Sequence, residues 1–335
     1  MRFLLIVLFT LAALSSNSQT LGGKAAYSFL NLPASPSLSA LGGVNISYNN
    51  NDVGLATNNP SQLTSNLHSQ LGASFNAFFA GIKAYQLAGA AYNQKRDLTI
   101  GSSLFFIDYG NITQADDGGN VTGSLRPRDM VFQLSVGKSY LEKWHYGVTG
   151  KFIHSDYGIY QSSAIAFDVG VHYSDSSKLF SAAFLAKNMG TQLSTYYGEK
   201  EELPFDLQLG ITKRLEKAPL GFSATLQQVH RWFVGYEDSL VTTTGFNKFF
   251  NHFVLATHVY IGKNLEVMAG YNRLRRTELN INTGGNGLNG FSTGFKASFK
   301  KLQVQYARAY FQRAGAYNQF GLNLKLNSLI QSSDL

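Results

Sequence analysis

The chain has 335 residues, 28 Lys+Arg against 20 Asp+Glu, and no Cys, which excludes disulfides, Cys-held zinc and thiol catalysis. Charged residues are 14% and aromatics 13%, with 25 Phe and 18 Tyr, and the mean hydropathy is −0.09. That balance excludes a bundle of membrane helices and a disordered chain, and it suits a transmembrane β-barrel, whose polar and apolar faces average out.

Along the chain, Arg2 followed by the apolar run Phe3 to Leu14 and the small residues Ser16 and Ser18 predicts a signal peptide over 1–18, cleaved before Gln19. The apolar run is too short to span a bilayer as a helix. Residues 19–66 are rich in Gly, Asn, Ser and Leu, contain Pro33, Pro36 and Pro60, and show no sustained period. From residue 67 a period of two sets in. Met130, Phe132, Leu134 and Val136 alternate with Val131, Gln133, Ser135 and Gly137; Ile165, Phe167, Val169, Val171 and Tyr173 alternate with Ala166, Asp168, Gly170 and His172. Phe205, Leu207, Leu209 and Ile211, and later Phe320, Leu322, Leu324 and Leu326, repeat the pattern. The polar partners are mostly small, whereas a soluble sandwich would carry Lys and Glu there.

Fourteen strands are predicted: 67–79, 83–93, 97–110, 128–140, 144–156, 161–175, 178–187, 203–217, 219–231, 249–261, 264–274, 290–300, 301–312 and 316–326. An even number closes antiparallel and leaves no edge for lipid to meet. Connections after odd strands include the long segments 111–127, 188–202, 232–248 and 275–289, while those after even strands are short. Long outer loops and short periplasmic turns are the pattern of outer-membrane barrels, and this parity puts both chain ends on the periplasmic side. Trp144, Trp232, Tyr109, Tyr140 and Tyr310 fall at strand ends, as interfacial girdles require. Fourteen strands enclose a lumen too wide for wall side chains to fill. The expected architecture is therefore all-β: a transmembrane antiparallel barrel over 67–326, an N-terminal plug over 19–66 inside it, and a polar tail over 327–335.

Motifs of catalysis are weak. Gly290-Phe291-Ser292-Thr293-Gly294 matches a nucleophile-elbow pattern but opens a strand with no helix behind it, and Ser135-Val136-Gly137-Lys138 lacks the companion motifs of its chemistry. The seven His have no metal-ligand spacing, and Asp116-Asp117-Gly118-Gly119-Asn120 lacks a calcium-loop register. No catalytic, metal or cofactor site is expected. Asp168, Asp206 and Glu266 fall on inward faces with Lys151, Arg214 and Lys325, where they should pair with each other and with the plug. Arg273, Arg275, Arg276 and Arg308 fall near outer strand ends, with Arg126 and Arg128 in the loop before the fourth strand, a basic rim suited to lipopolysaccharide phosphates.

Phe29-Leu30-Asn31-Leu32-Pro33-Ala34-Ser35, Ala40-Leu41-Gly42-Gly43, Asp52-Val53 and Asn59-Pro60-Ser61-Gln62-Leu63 resemble the N-terminal signature of the PorV/PorQ family. The resemblance continues through Asp108-Tyr109-Gly110-Asn111-Ile112, Phe167-Asp168-Val169-Gly170, Lys187-Asn188-Met189-Gly190 and Leu203-Pro204, with the PorQ branch the nearer. These proteins are similar to the FadL-type channels. The resemblance implies a non-enzymatic outer-membrane barrel of the type IX secretion system that anchors a PorZ-like surface protein beside PorU and PorV. The alternative expectation is a FadL-like channel for hydrophobic small molecules, which predicts an apolar lumenal pocket and a lateral gap in the wall. An anchor predicts a filled lumen and a docking face on the outer loops. Trp232, Phe233, Tyr236 and Phe246 in loop 232–248 are the expected docking residues.

Overall fold

A computed structural model describes residues 25–48, 51–231, 245–279, 287–312 and 315–326. Its strands are β1 (Gln70–Ala77), β2 (Lys83–Asn93), β3 (Leu98–Asp108), β4 (Ile112–Ala115), β5 (Val121–Leu125), β6 (Arg128–Tyr140), β7 (Trp144–Tyr157), β8 (Tyr160–Asp175), β9 (Phe180–Ser194), β10 (Asp206–Arg214), β11 (Leu220–Leu226), β12 (Phe253–Ile261), β13 (Leu265–Asn272), β14 (Phe291–Ser298), β15 (Leu302–Gln312) and β16 (Gly315–Lys325). Fourteen of them form one closed antiparallel barrel, each hydrogen-bonded to its sequence neighbours, with β4 and β5 standing apart as a hairpin. The ring closes where β1 pairs with β16 from Gln70↔Lys325 to Ala77↔Asn318.

Alternation decides the two faces. Phe132, Leu134 and Val136 on β6, and Phe320, Leu322 and Leu324 on β16, point outward and are exposed, while Ser135, Gln319 and Asn323 between them are buried. A wall that is apolar outside and polar inside is stable when lipid surrounds it. No helix among the described residues is long and apolar enough to cross a membrane. At the short-turn end, Trp144 and Tyr173 lie ring to ring at 5.0 Å on facing strands, in a girdle position.

Most strands are a few residues shorter than expected, and three departures matter for the fold. Strand β9 runs to Ser194 rather than ending near 187, because Asn188 takes the left-handed conformation (φ 59°) and absorbs one residue in a bulge against β8. Asn tolerates that conformation better than most residues, and the turn-like Asn188-Met189-Gly190 is therefore an irregularity inside a strand. Strand β11 ends at Leu226, five residues short of the expected strand. The loop 111–127 carries the β4–β5 hairpin, closed by Asp116, whose carboxylate accepts from the backbone of Gly118 and Asn120 at 3.0 and 2.8 Å.

The described residues of the N-terminal segment, 25–48 and 51–69, run through the barrel interior with short helical turns. Their starts are written in the sequence. Ser35 caps α1 (Pro36–Ala40), Asp52 caps α2 (Val53–Ala56) and Asn59 caps a 3-10 turn over Pro60–Gln62; in α1 and the 3-10 turn a proline occupies the first turn. The expected placement of both chain ends on one side does not hold for this segment. Ala25 bridges Glu202 at the long-loop end, whereas β1 begins at the short-turn end, so the segment traverses the barrel. The expected signal peptide (1–18) and polar tail (327–335) lie outside the described residues.

Candidate functional site

The interior is a set of polar contacts between the N-terminal segment and the wall. Ser37 donates to Gln305 at 3.0 Å, and Ser39 hydrogen-bonds Gln319. Asn323 and Gln305 donate to the Asp52 carboxylate at 2.7 and 2.9 Å, so a buried cap residue is also an acceptor for the wall. His172 and Ser181 both reach the carbonyl of Ser47, at 3.1 and 2.8 Å. Buried polar groups demand partners, and here the segment and the wall supply each other's.

The charges on inward faces are ion-paired or held by neutral polar and aromatic partners. Lys151 lies 2.6 Å from Asp168 and donates to Asn188 at 2.7 Å. Glu266 lies 2.7 Å from Lys296 and 3.0 Å from the Nδ1 of His258, and it accepts from the Tyr48 hydroxyl of the segment. Lys187 donates to Asn58 of the segment at 2.9 Å, and Asp206 accepts from the backbone of Gln228 at 2.6 Å. Arg214 stacks on Tyr260 at 4.1 Å near the short-turn end. Lys325 is exposed at that end. His258, Lys296 and Tyr48 escape sequence inspection because nothing local marks them as partners of Glu266, the first two from neighbouring strands and Tyr48 from 218 positions away.

Close approach of backbones depends on glycine. Gly137, Gly147 and Gly170 pair across β6, β7 and β8 as one row. A Cβ at Gly147 would sit 2.4 Å from the carbonyl oxygen of Pro60, so the 3-10 turn rests directly on the bare backbone.

Between segment and wall lies a cavity of about 280 Å³. Leu32, Leu38, Val44 and Leu274 form its apolar side; Lys187, Asp206, Gln208 and Arg275 form its polar side. A gap of about 30 Å³ bordered by Leu32, Leu38 and Lys187 adjoins it. At the short-turn end a wider vestibule of about 630 Å³ is lined by Tyr48, Asp175, Arg214, Tyr260, Glu266 and Lys296.

Arg275 belongs to the helix α4 (Arg273–Leu279; α3 is Gly245–Phe250), which folds back over the lumen. Burial lowers its pKa from the ordinary value, offset in part by Tyr317 and Glu278. The expected rim of four arginines is thereby divided. Arg275 points into the cavity against Gly43, and Arg273 is half-buried and donates to Asn247 at 3.1 Å. Arg276 reaches the carbonyl of Gly287 at 3.0 Å, and Arg308 stays on the outward face of β15, exposed. A helix was not foreseen in 275–289, and its return over the lumen is what carries Arg275 inside.

Of the expected docking residues, Trp232, Phe233 and Tyr236 lie outside the described residues. Phe246 is 71% exposed on α3 and packs against Phe250 at 4.4 Å; Phe249 and Phe250 are exposed beside it. The hydroxyl of Ser292 donates to the Ala40 carbonyl and accepts from the Gly42 amide, both at 3.0 Å, and Ser135 bonds Thr149 at 2.8 Å. Both serines serve the interior network. No cluster of metal-ligating side chains occurs among the described residues.

No family profile matches the chain, and no curated protein matches it by sequence. Solved structures do. The Pseudomonas putida toluene transporter TodX is similar at 14% identity, over 85% of this chain and 95% of that one, with a TM-score of 0.50. A deltaS2 mutant of the TodX monoaromatic hydrocarbon channel is similar at 13% identity, over 88% and 98%, with a TM-score of 0.52. A Pseudomonas aeruginosa FadL homologue matches at 10% identity, over 87% and 97%, with a TM-score of 0.47. The fold is similar to that of the TodX barrel. With its apolar outer wall, long loops at one end and short turns at the other, the chain is an integral outer-membrane protein. The long-loop end is the outer one.

Proposed function

We propose that the chain is a passive outer-membrane channel for small hydrophobic or amphipathic molecules. The observation that carries this reading is the 280 Å³ cavity, lined by Leu32, Leu38 and Leu274 together with Lys187, Asp206 and Arg275, inside a barrel of TodX type. An apolar lining beside two cations and the carboxylates Asp206 and Glu278 accepts a molecule with an apolar body and a polar end, the usual division of labour in a small-molecule pocket. The test is uptake of a labelled monoaromatic compound into proteoliposomes. Leu38→Trp, which fills the cavity, should abolish uptake above the empty-vesicle rate. Uptake equal to empty vesicles by the unaltered barrel overturns the reading.

A second reading is favoured by two other observations. The polar face of the interior is bonded to the N-terminal segment, and the strand ladder is continuous through all fourteen pairs, with no lateral gap among the described residues. A filled barrel with Phe246, Phe249 and Phe250 exposed at its outer rim suits an anchor for a surface protein. The family resemblance names that partner as PorZ-like, beside PorU and PorV of the type IX secretion system. Affinity capture from outer membranes tests it: the barrel should retain a surface protein, and Phe246→Ser with Phe249→Ser should release it. A barrel that imports the probe and captures nothing leaves the channel reading standing alone.

A further inference from the structure

The outward face of the barrel at its outer end is ordered in rows that cross the strands. Pairing registers put Arg308, Asn318, Ala77, Lys83, Asp108, Arg128 and Asp156 in one continuous row from β15 through β16, β1, β2, β3 and β6 to β7. Two residues down each strand, on the same face, comes Tyr306, Phe320, Phe75, Tyr85 and Phe106, a run of five aromatic rings on five adjacent strands. Neighbours in it lie ring to ring: Tyr306 with Phe320 at 5.1 Å and Phe75 with Tyr85 at 5.3 Å. The next row down holds Leu322, Ala73, Leu87 and Leu104. Ala73 between Leu322 and Leu87 leaves a dent, and it opens as an apolar groove of about 380 Å³ in the wall beneath the rings.

Aromatic rings of a barrel wall mark the membrane–water interface. Two strand residues span about 6.6 Å, so the charged row lies at the level of the lipid headgroups, just above the rings. Lys83, Arg128 and Arg308 lie in that row, and Arg126 joins it through its ion pair with Asp108. Four cations face two carboxylates there. In lipid, a concave apolar surface is filled by hydrocarbon. A concave surface capped by excess positive charge on the outer leaflet selects a hydrocarbon chain carrying phosphate.

We propose that this face, from β15 to β6, binds one phosphorylated glycolipid of the outer leaflet, a lipopolysaccharide, with an acyl chain in the Ala73 groove, one phosphate on Lys83 and Arg128, and a second on Arg308, three strands or about 14 Å along the row from Lys83. Arg273, Arg275 and Arg276 lie on α4, over the lumen, and not on this outward face, so the site is independent of what passes through the lumen. Arg308 is held ready for it by stacking over Tyr310 at 5.6 Å and donating to Asn318 at 3.3 Å.

The test uses the delipidated full-length barrel in detergent, titrated with bis-phosphorylated lipid A and followed by native mass spectrometry. One lipid A per barrel is expected, with binding at least tenfold weaker for the dephosphorylated lipid. The triple variant Lys83→Gln, Arg128→Gln, Arg308→Gln should lose the bound lipid to the same degree, and Ala73→Leu, which fills the groove, should weaken it further. Heat-modifiable mobility on gels shows that each variant is still a barrel. Equal binding of phosphorylated and dephosphorylated lipid by the unaltered protein overturns the proposal, whatever becomes of the variants. So does a second copy of the chain, in place of lipid, on this face.

Discussion

Lys151 and Asp168 meet at 2.6 Å inside the barrel, on adjacent strands, with side chains only 2% and 0% exposed. Such a pair carries a large desolvation cost that its own attraction and the added bond to Asn188 offset. Removing one partner leaves a bare charge at a buried position. Lys151→Met should therefore destabilise the barrel by about 3–5 kcal/mol, whereas Lys151→Met with Asp168→Leu should recover most of the loss. Urea unfolding in detergent, read as loss of the compact gel form, checks both.

The glycine row that seats the 3-10 turn predicts a different failure. Gly147→Val inserts a branched side chain where even a Cβ would come within 2.4 Å of Pro60. The wall cannot yield without breaking its ladder, so the segment must lift. We expect a loss of about 1–3 kcal/mol, typical of overpacking, together with increased single-channel conductance in planar bilayers. The same substitution at Gly262, in an open turn with nothing near it, strains only its own left-handed backbone (φ 65°) and should leave conductance unchanged.

His230, in the loop after β11, packs edge-on against Phe205 at 4.7 Å. Burial, reinforced by Arg231 and His252, lowers its pKa to about 4 from the usual 6.5. The unfolded chain thus takes up this proton first as pH falls. Stability from this group is complete above pH 6.5, is lost progressively down to about pH 4, and changes no further below that. His230→Phe should flatten that segment of the pH–stability curve, measurable by urea midpoints at about pH 7.5, 5.5 and 4.5.

Ser28 is exposed at the outer end, one turn from the Ala25–Glu202 bridge. Because the chain contains no cysteine, Ser28→Cys supplies a single thiol. A membrane-impermeant maleimide added to intact cells should label it, while Ser176→Cys, in a short turn, should react only after the outer membrane is opened.

Much of the wall is legible in the sequence because its physics is repetitive. Each lipid-facing residue is followed by one that is not, and Phe320-Gly321-Leu322-Asn323-Leu324 needs no knowledge of its neighbours to be read. The caps Ser35, Asp52 and Asn59 are equally local. The features that could not be read depend on relations at a distance. Glu266 is recognisable as an inward charge, but its partners Lys296 and Tyr48 come from another strand and from the interior segment. Asn188-Met189-Gly190 carries turn chemistry, and only the register against β8 shows that the strand continues through it. Arg275 has the spacing of a rim residue until the fold of α4 turns it inward.

Fourteen strands bring the chain back to the side from which β1 departs, yet Ala25 and Lys325 stand on opposite sides of the membrane. Between Ala25 and Lys325 the described chain therefore crosses an odd number of times. The fifteenth is not part of the wall: it is irregular chain, permitted at that depth only because every neighbour is protein rather than lipid. A tag joined ahead of Ala25 is displayed to the surroundings of the cell, and one joined beyond Leu326 stays within the envelope. One molecule thus offers a separate address on each side.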